Sequence, residues 1–159
     1  MLQPLFFFSQ EVQIMKQAGV MTFVLGLFFL VTVMPASAED HQTPVAPQDY
    51  LDMENPIDED DVDEDFLKNP GKLYKIKCKK CHGIEGDGQG SAADDMEIKP
   101  TAFDAPGYFK GKSDGQLFWI IEVGSEGTEM EGFGPDSDAG LAEEKLWELV
   151  SYMRAKFTN

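Results

Sequence analysis

Cys78-Lys79-Lys80-Cys81-His82 is the stretch that decides how this sequence folds. Its two thiols are separated by two residues, and an imidazole follows them directly. This spacing lets both thiols form thioether links to the two vinyl groups of one haem, and it holds the imidazole under the iron. The motif therefore predicts one covalently attached haem c, linked to Cys78 and Cys81, with His82 as an iron ligand.

Other kinds of site also use closely spaced cysteines. A thioredoxin-type redox pair would follow a strand of a βαβ unit, whereas here a helical pattern precedes Cys78 and glycines follow His82. A structural zinc site needs four Cys or His ligands, and the other histidine of the chain is His41. With two cysteines in all, the chain is also not a disulfide-stapled fold. The haem interpretation is favoured over these three.

The second axial ligand of the iron should be a thioether or an imidazole that arrives from a distant part of the chain. The candidates are Met130, Met96, Met153 and His41. Met130 is favoured because it lies in a glycine-flanked segment, residues 127–134, where its side chain can point inward without helical packing constraints. Met153 belongs to the apolar stripe of a helix, and Met96 could simply cover the haem edge.

Length and charge limit the organisation of the protein and its partners. The chain has 159 residues, enough for one domain with extensions. Its formal net charge is -16, whereas nucleic-acid binding requires a clustered excess of Lys and Arg. We therefore expect no nucleic-acid partner, and solubility is the simplest explanation of the acidic composition.

Residues 1–38 are interpreted as a signal peptide. Met15 and Lys16 precede an apolar run from Val20 to Met34, and Pro35-Ala36-Ser37-Ala38 offers an A-x-A cleavage site. The part before Met15 is a possible over-called translation start. An uncleaved anchor is the alternative, since the apolar run approaches the ~20 residues that span a bilayer. We expect a periplasmic or otherwise exported protein that associates with a membrane only if this segment is retained.

Residues 39–65 are expected to form an acidic, disordered linker. Nine carboxylates lie between Asp52 and Asp65, and three prolines punctuate the stretch. Such a segment buries too little apolar surface to offset its ordering entropy. The folded domain is therefore expected to cover residues 66–159.

Helical patterns account for the rest of the chain. Asn69 and Pro70 are typical of a helix start, and this helix leads into the cysteine motif. Ser113 and Gln116 match a capping box for a second, apolar helix that ends at Gly124. A third, C-terminal helix has its apolar stripe at Leu146, Val150, Met153 and Phe157. Because three helices make a thin core in so small a domain, a buried apolar cofactor would complete it.

Together these features resemble a class I, mono-haem cytochrome c. The resemblance covers about residues 69–157, and it is carried by Leu73-Tyr74, the cysteine motif, Gly86-Asp87-Gly88-Gln89-Gly90, Pro100 with Phe103, Ser113-Asp114, Leu117-Phe118-Trp119-Ile120-Ile121, Gly127-Thr128-Glu129-Met130 and Trp147-Glu148-Leu149-Val150-Ser151-Tyr152. It implies a small all-α fold of about three to five helices packed round one covalent haem.

The resemblance also implies roles for individual residues. His82 would be the proximal ligand through Nε2 and Met130 the distal ligand, while the carbonyl of Pro100 would accept a hydrogen bond from His82 Nδ1. Two positions depart from the family pattern. Glu131 stands where a proline often follows the ligand methionine, and Ala142 stands where Ser or Thr often caps the last helix.

A haem with both axial positions filled by protein suits electron transfer better than oxygen or peroxide activation. The resemblance thus implies a carrier rather than an enzyme, which takes single electrons from a dehydrogenase or reductase and delivers them to a terminal acceptor. Two alternatives stay open: a haem sensor or peroxidase-like enzyme with a displaceable Met130, and a cytochrome subunit of a larger oxidoreductase. Contacts with redox partners should be small and transient.

Six lysines lie on or beside the cysteine motif, at Lys68, Lys72, Lys75, Lys77, Lys79 and Lys80. The acidic residues directly upstream could fold over this basic cluster and compete with acidic partners for it. A solvated spacer is the simpler interpretation of such a charge run.

Overall fold

The computed structural model describes residues 43–158. Within them lie the five α-helices Gln48–Leu51 (α1), Lys68–Lys77 (α2), Lys79–His82 (α3), Asp114–Val123 (α4) and Glu143–Phe157 (α5), with 3-10 turns at Glu59–Asp61 and Ala93–Asp95. The β-type backbone pairing within these residues is an isolated antiparallel bridge between Gly124 and Glu131. The predicted all-α fold is therefore confirmed.

The interpretation of residues 1–38 as a signal peptide concerns a segment outside the described residues. No helix between Thr43 and Thr158 combines the length and apolar character needed to cross a membrane.

The helix ends follow the sequence signals at α4 but not at the start of α2. The Ser113 side chain accepts a hydrogen bond from the backbone of Gln116, and α4 ends at Gly124, so the capping prediction is confirmed. Helix α5 begins after Ala142, which provides no side-chain cap. The predicted start of α2 at Asn69 is wrong, since the helix begins at Lys68 with Leu67 in the capping position.

The core forms where α5 packs on α2 and α4. The ring of Tyr74 on α2 lies 5.5 Å from that of Tyr152 and 5.2 Å from that of Phe157. On the α4 side, the rings of Phe118 and Trp147 stack at 4.3 Å. Each aromatic contact of this kind adds about 0.5–1.5 kcal/mol beyond the burial of its area. These contacts fix α5 across the other two long helices.

Arg154 on α5 ties three parts of the chain together. Its guanidinium donates to the Asp114 carboxylate at 2.7 Å, to the carbonyl of Phe109 at 3.1 Å and to the carbonyl of Lys112 at 2.6 Å. The first of these partners begins α4, and the other two belong to the loop before it. The loop is thereby held against the C-terminal helix.

Residues 43–57 form an N-terminal strap over α4 and α5, so the prediction of a disordered linker is wrong here. The side chain of Gln116 accepts a hydrogen bond from Ala46 N at 2.8 Å and donates one to the carbonyl of Pro44 at 3.0 Å. Asn55 donates to Asp114 and to Ser151, each at 3.0 Å. Tyr50, Met53 and Ile57 pack against the core. These hydrogen bonds and apolar contacts offset the conformational entropy that is lost when the segment becomes ordered. The composition alone had predicted that this entropy cost would dominate.

Residues 58–65, the acidic run, are also ordered, and their carboxylate residues remain exposed. The Asp63 carboxylate accepts a hydrogen bond from Phe66 N at 2.8 Å, directly before α2. Negative charge at this end of a helix is favourable because the helix dipole is positive there. The hypothesis that the run folds over the lysines is not supported, since Asp65 with Lys68 is the single ion pair between them in residues 43–158.

Candidate haem site

Cys78 lies at the break between α2 and α3, and Cys81 lies within α3. Cys78 N donates to the carbonyl of Tyr74 at 2.8 Å, and the carbonyl of Cys78 accepts from His82 N at 3.0 Å. A buried hydrogen bond of 2.8 Å from the Tyr74 hydroxyl to the carbonyl of Gly83 closes the turn. Both thiols are half-buried, and both stand within one helical turn of the imidazole.

The properties of Cys78 do not match those of a redox-active thiol. Burial, followed by the nearby Cys81, raises the pKa of the Cys78 thiol to about 12. Thioredoxin-type cysteines have a lowered pKa, because the thiolate is the reactive form. A helix, not a strand, also leads into the motif. The thioredoxin alternative is therefore unsupported.

The His82 ring is held by one hydrogen bond and one ring contact. Its Nδ1 lies 3.1 Å from the carbonyl oxygen of Thr101, and the ring stacks on Phe103 at 4.4 Å. Burial lowers the pKa of His82, although the hydrogen bond to Thr101 acts in the opposite direction. A neutral imidazole that donates through Nδ1 keeps the lone pair of Nε2 for a metal.

The predicted role of Pro100 is wrong, because the acceptor for His82 Nδ1 is the next residue, Thr101. The carbonyl of Pro100 points elsewhere: it lies only 2.6 Å from where a Cβ of Gly88 would stand. Gly88 has a φ of 71° and allows this close approach. Pro100 nevertheless lines the same cavity as His82.

Met130 lies in a tight turn after α4. Its backbone N–H donates to the Thr128 hydroxyl at 3.0 Å, and that hydroxyl donates to the carbonyl of Ser125 at 2.8 Å. The carbonyl of Met130 accepts from Ser125 N at 2.9 Å. Gly124 begins the turn with a φ of 83°, and a Cβ there would lie 2.4 Å from the carbonyl oxygen of Met130. The turn therefore fixes the backbone of Met130 on both sides.

One cavity of about 330 Å³ brings the predicted site residues together. Both cysteines, His82 and Met130 line it, and its volume lies within the roughly 300–1,000 Å³ of typical cofactor pockets. Much of the remaining wall is apolar and comes from Phe103, Leu117, Ile121, Phe133 and Leu149. Thiols, imidazole, thioether and apolar walls are the set of groups that a covalent haem requires.

Two of the other candidate iron ligands, Met96 and Met153, also line the cavity, and Met153 is buried in the core as well. His41 lies outside the described residues. No cluster of three or more His, Cys, Asp or Glu side chains suited to a metal ion occurs within residues 43–158.

Sequence reasoning missed two groups of the site. Thr101 supplies a backbone carbonyl, which has no sequence signature of its own. Thr128 could have been found from the sequence, because the hydroxyl of Ser or Thr in a turn commonly accepts the backbone N–H of the residue two positions later.

The fold and the cavity define the chain as a c-type cytochrome. A family described as cytochrome c oxidase, cbb3-type, subunit III matches residues 66–153. The chain belongs to this family, and the family assignment implies covalent haem c and electron transfer. Covalent haem c as the type of cofactor is thus confirmed.

A solved structure of a protein complex is among those similar to the chain. It is titled the Kuenenia stuttgartiensis reducing HAO-like protein complex Kustc0457/Kustc0458, and its matching chain has 29% identity and a TM-score of 0.51. The match covers 60% of this chain and 46% of that chain, so this chain spans less than half of the solved one. No curated protein matches the sequence.

Proposed function

We propose that this chain carries single electrons through one haem c held by Cys78 and Cys81, with His82 and Met130 as axial ligands. When bound, haem c supplies an iron that alternates between the ferrous and ferric states. The observation that supports the proposal is that Cys78, Cys81, His82 and Met130 line one cavity.

Each residue has a distinct task in this proposal. The cysteines hold the cofactor permanently, and the hydrogen bond from His82 to Thr101 fixes the ring and increases its basicity. The thioether of Met130 favours ferrous iron and so raises the potential, within the ~0.8 V that axial ligands can set. If His82 and Met130 both held the iron, the site would favour electron transfer over the binding of oxygen or peroxide. The chain then acts as a carrier and not as an enzyme.

We also propose that the protein is exported. The support is the sequence of residues 1–38, with its basic start, its apolar run and the small residues that end it. N-terminal sequencing of the mature protein tests this directly. A new N-terminus near Glu39 is expected and would support export with cleavage, whereas an intact Met1 or Met15 would contradict cleavage of this segment.

A subunit of a larger oxidoreductase is the second candidate. It is supported by the family description, which names a subunit of an oxidase, and by the similar solved structure, which is a protein complex. Affinity purification from the native membrane and soluble fractions distinguishes the two candidates. A partner retained at high salt indicates a subunit, whereas a free monomeric cytochrome indicates a diffusing carrier.

The axial ligand is tested with three matched variants of protein matured by a haem-attachment system. Met130→Leu, Met96→Leu and Met153→Leu each replace a thioether by a similar volume that cannot bind iron. We expect Met130→Leu alone to abolish the weak near-red band of methionine-ligated ferric haem and to lower the potential by roughly 0.1 V or more. Loss of the band in either of the other variants instead would reassign the ligand.

A further inference from the structure

The segment that holds the proposed distal ligand folds back on the C-terminal end of α4. We call residues 125–134 the methionine loop. In its second half, Phe133 N donates to the carbonyl of Ile121 at 2.9 Å, and Gly134 N donates to the carbonyl of Glu122 at 3.0 Å. Both carbonyls belong to the last turn of the helix, where backbone oxygens have no partner within the helix. The position of the loop therefore depends on this helix end.

Two glycines let the methionine loop lie directly on Glu122. A Cβ at Gly132 would lie 2.5 Å from the carbonyl oxygen of Glu122, and a Cβ at Gly134 would lie 2.5 Å from its Cγ. Such distances are far shorter than the ordinary contact of about 3.5–4.0 Å between carbon atoms. The backbone of Glu122 and the stem of its side chain thus form the surface on which the loop rests.

The side chain of Glu122 is held by a residue of the N-terminal strap. The Tyr50 hydroxyl donates to its carboxylate at 2.7 Å, although the two residues are 72 positions apart in the chain. The Tyr50 ring packs against the core and stacks with Phe118 at 6.3 Å. A hydrogen bond to a charged acceptor is stronger than one between neutral groups. The packed ring therefore presents a fixed donor that restricts the conformation of Glu122.

The strap also reaches the haem cavity directly. Thr43, at the start of the strap, lines the cavity together with Met130. The next residues are fixed to α4, because Gln116 bonds to the carbonyl of Pro44 and to Ala46 N. One short segment therefore contacts both the cavity and the support of the methionine loop.

We propose that Tyr50 is a positioning residue for the axial ligand: by holding Glu122 beneath Gly134, it keeps the methionine loop closed on the end of α4 and strengthens the hold of Met130 on the iron. The proposal deepens the ligation proposed above and rests on it. It gives the strap a role in the chemistry of the haem site as well as in the stability of the fold.

The backbone connects this support to the ligand. Without the tyrosine hydroxyl, the Glu122 carboxylate is free to turn toward solvent, and residues 132–134 gain room above it. Glu131, which directly follows Met130, pairs with the residue that ends α4 through an isolated β-bridge. Movement of the second half of the loop is therefore passed to the methionine within two residues.

The hold of Met130 is measured by titration of the ferric, haem-containing protein with imidazole, which competes for the same axial position. Tyr50→Phe removes the hydroxyl and keeps the ring. We expect this variant to bind imidazole roughly three- to fivefold more tightly than the wild type. An unchanged affinity, with hydrogen exchange in the loop also unchanged, would overturn the proposal.

Asn55→Ala is the matched control in the same strap. It removes two hydrogen bonds, to Asp114 and to Ser151, neither of which involves Glu122. Its affinity for imidazole should differ from that of the wild type by less than about 1.5-fold, since distant sites act independently. An effect as large as that of Tyr50→Phe would show a general loosening of the strap and would overturn the proposal.

A double-mutant cycle tests whether the two residues act as a unit. Glu122→Leu keeps the bulk of the side chain and removes the acceptor. The double variant Tyr50→Phe, Glu122→Leu should bind imidazole within about 1.5-fold of the more affected single variant. Glu122→Gln retains an acceptor oxygen and should stay within about twofold of the wild type. If the effects of the two single variants multiply in the double variant, each residue acts separately and the proposal is wrong.

Amide hydrogen exchange at Phe133 and Gly134 reports on the methionine loop whichever group binds the iron. Exchange at both should be roughly threefold faster in Tyr50→Phe than in the wild type, and it should be unchanged in Asn55→Ala. Faster exchange with an unchanged affinity for imidazole would overturn ligation by Met130 and not the positioning of the loop. A failure of the proposed function is thereby distinguished from a failure of the role of Tyr50.

Discussion

The hydroxyl of Thr128 lies 3.0 Å from the backbone nitrogen of Met130 and accepts its hydrogen bond. The same hydroxyl donates to Ser125, so one side chain holds the turn that presents the methionine. Replacement by valine keeps the shape and removes both hydrogen bonds. The variant is expected to lose about 1–2 kcal/mol of the free energy that holds Met130 in place.

We therefore expect Thr128→Val to weaken ligation by Met130. In a titration of the ferric protein with imidazole, which competes for the same axial position, the variant should bind imidazole roughly tenfold more tightly than the wild type. Thr128→Ser retains the hydroxyl and should behave like the wild type. Equal imidazole affinities for all three proteins would show that Thr128 does not position Met130.

Glu131 follows the proposed ligand and lines the haem cavity. A carboxylate near the iron stabilises the more positive ferric state, so Glu131→Gln should raise the reduction potential by on the order of 20–40 mV. The side chain is exposed, and added salt should reduce the difference. Glu126→Gln, an exposed carboxylate away from the cavity wall, is the control in the same voltammetric measurement. A shift as large in the control would show that the effect is not specific to Glu131.

Gln116 holds the N-terminal strap through two hydrogen bonds. In Gln116→Leu the N–H of Ala46, which is only 5% exposed, loses its acceptor. An unsatisfied buried donor costs about 1–3 kcal/mol, and urea unfolding of the haem-containing protein should show this decrease. Gln48→Leu changes an exposed amide of the same strap, and its effect should stay within about 0.5 kcal/mol.

Tyr50 donates a hydrogen bond of 2.7 Å to the Glu122 carboxylate. This bond, with a smaller contribution from burial, raises the pKa of Tyr50 to about 12. The ordinary value is near 10, so the bond stabilises the fold fully below that pH and is lost as the pH rises toward 12. Tyr50→Phe should be less stable by about 1 kcal/mol at pH 8, because the bond is partly exposed.

The pH dependence gives that experiment its decisive comparison. The difference in free energy of unfolding between Tyr50→Phe and the wild type should be constant up to about pH 9 and should shrink above pH 10. Other tyrosines titrate in both proteins and cancel in the difference. A difference that stays constant to pH 11 would mean that the hydrogen bond to Glu122 is not its source.

The site was predictable where its signals are local. The haem attachment residues lie within five positions, and the cap of α4 lies within four, so a short pattern specifies each of them. The cofactor and the all-α fold follow from such patterns. Thr101 could not be distinguished from Pro100, because the choice depends on how the loop packs against Gly88. That packing joins positions 12 residues apart in the chain and has no local signature.

The strap was mispredicted for a related reason. Its composition is acidic and rich in proline, and composition reports the average tendency of a segment. Its order comes from a few contacts with residues about 60 to 100 positions later, such as Asn55 with Ser151. Likewise, the fold brings three methionines to the lining of one cavity, although the sequence shows just one of them in a suitable turn.

Arg154 illustrates how little freedom this small protein leaves to some of its surface positions. A single planar group satisfies three acceptors that lie in three different directions. The ammonium of a lysine has the same charge, but its single nitrogen cannot reach all three acceptors at once. The conservative substitution Arg154→Lys would therefore leave main-chain carbonyl oxygens without a donor. This position should tolerate substitution poorly even though it does not belong to the haem site.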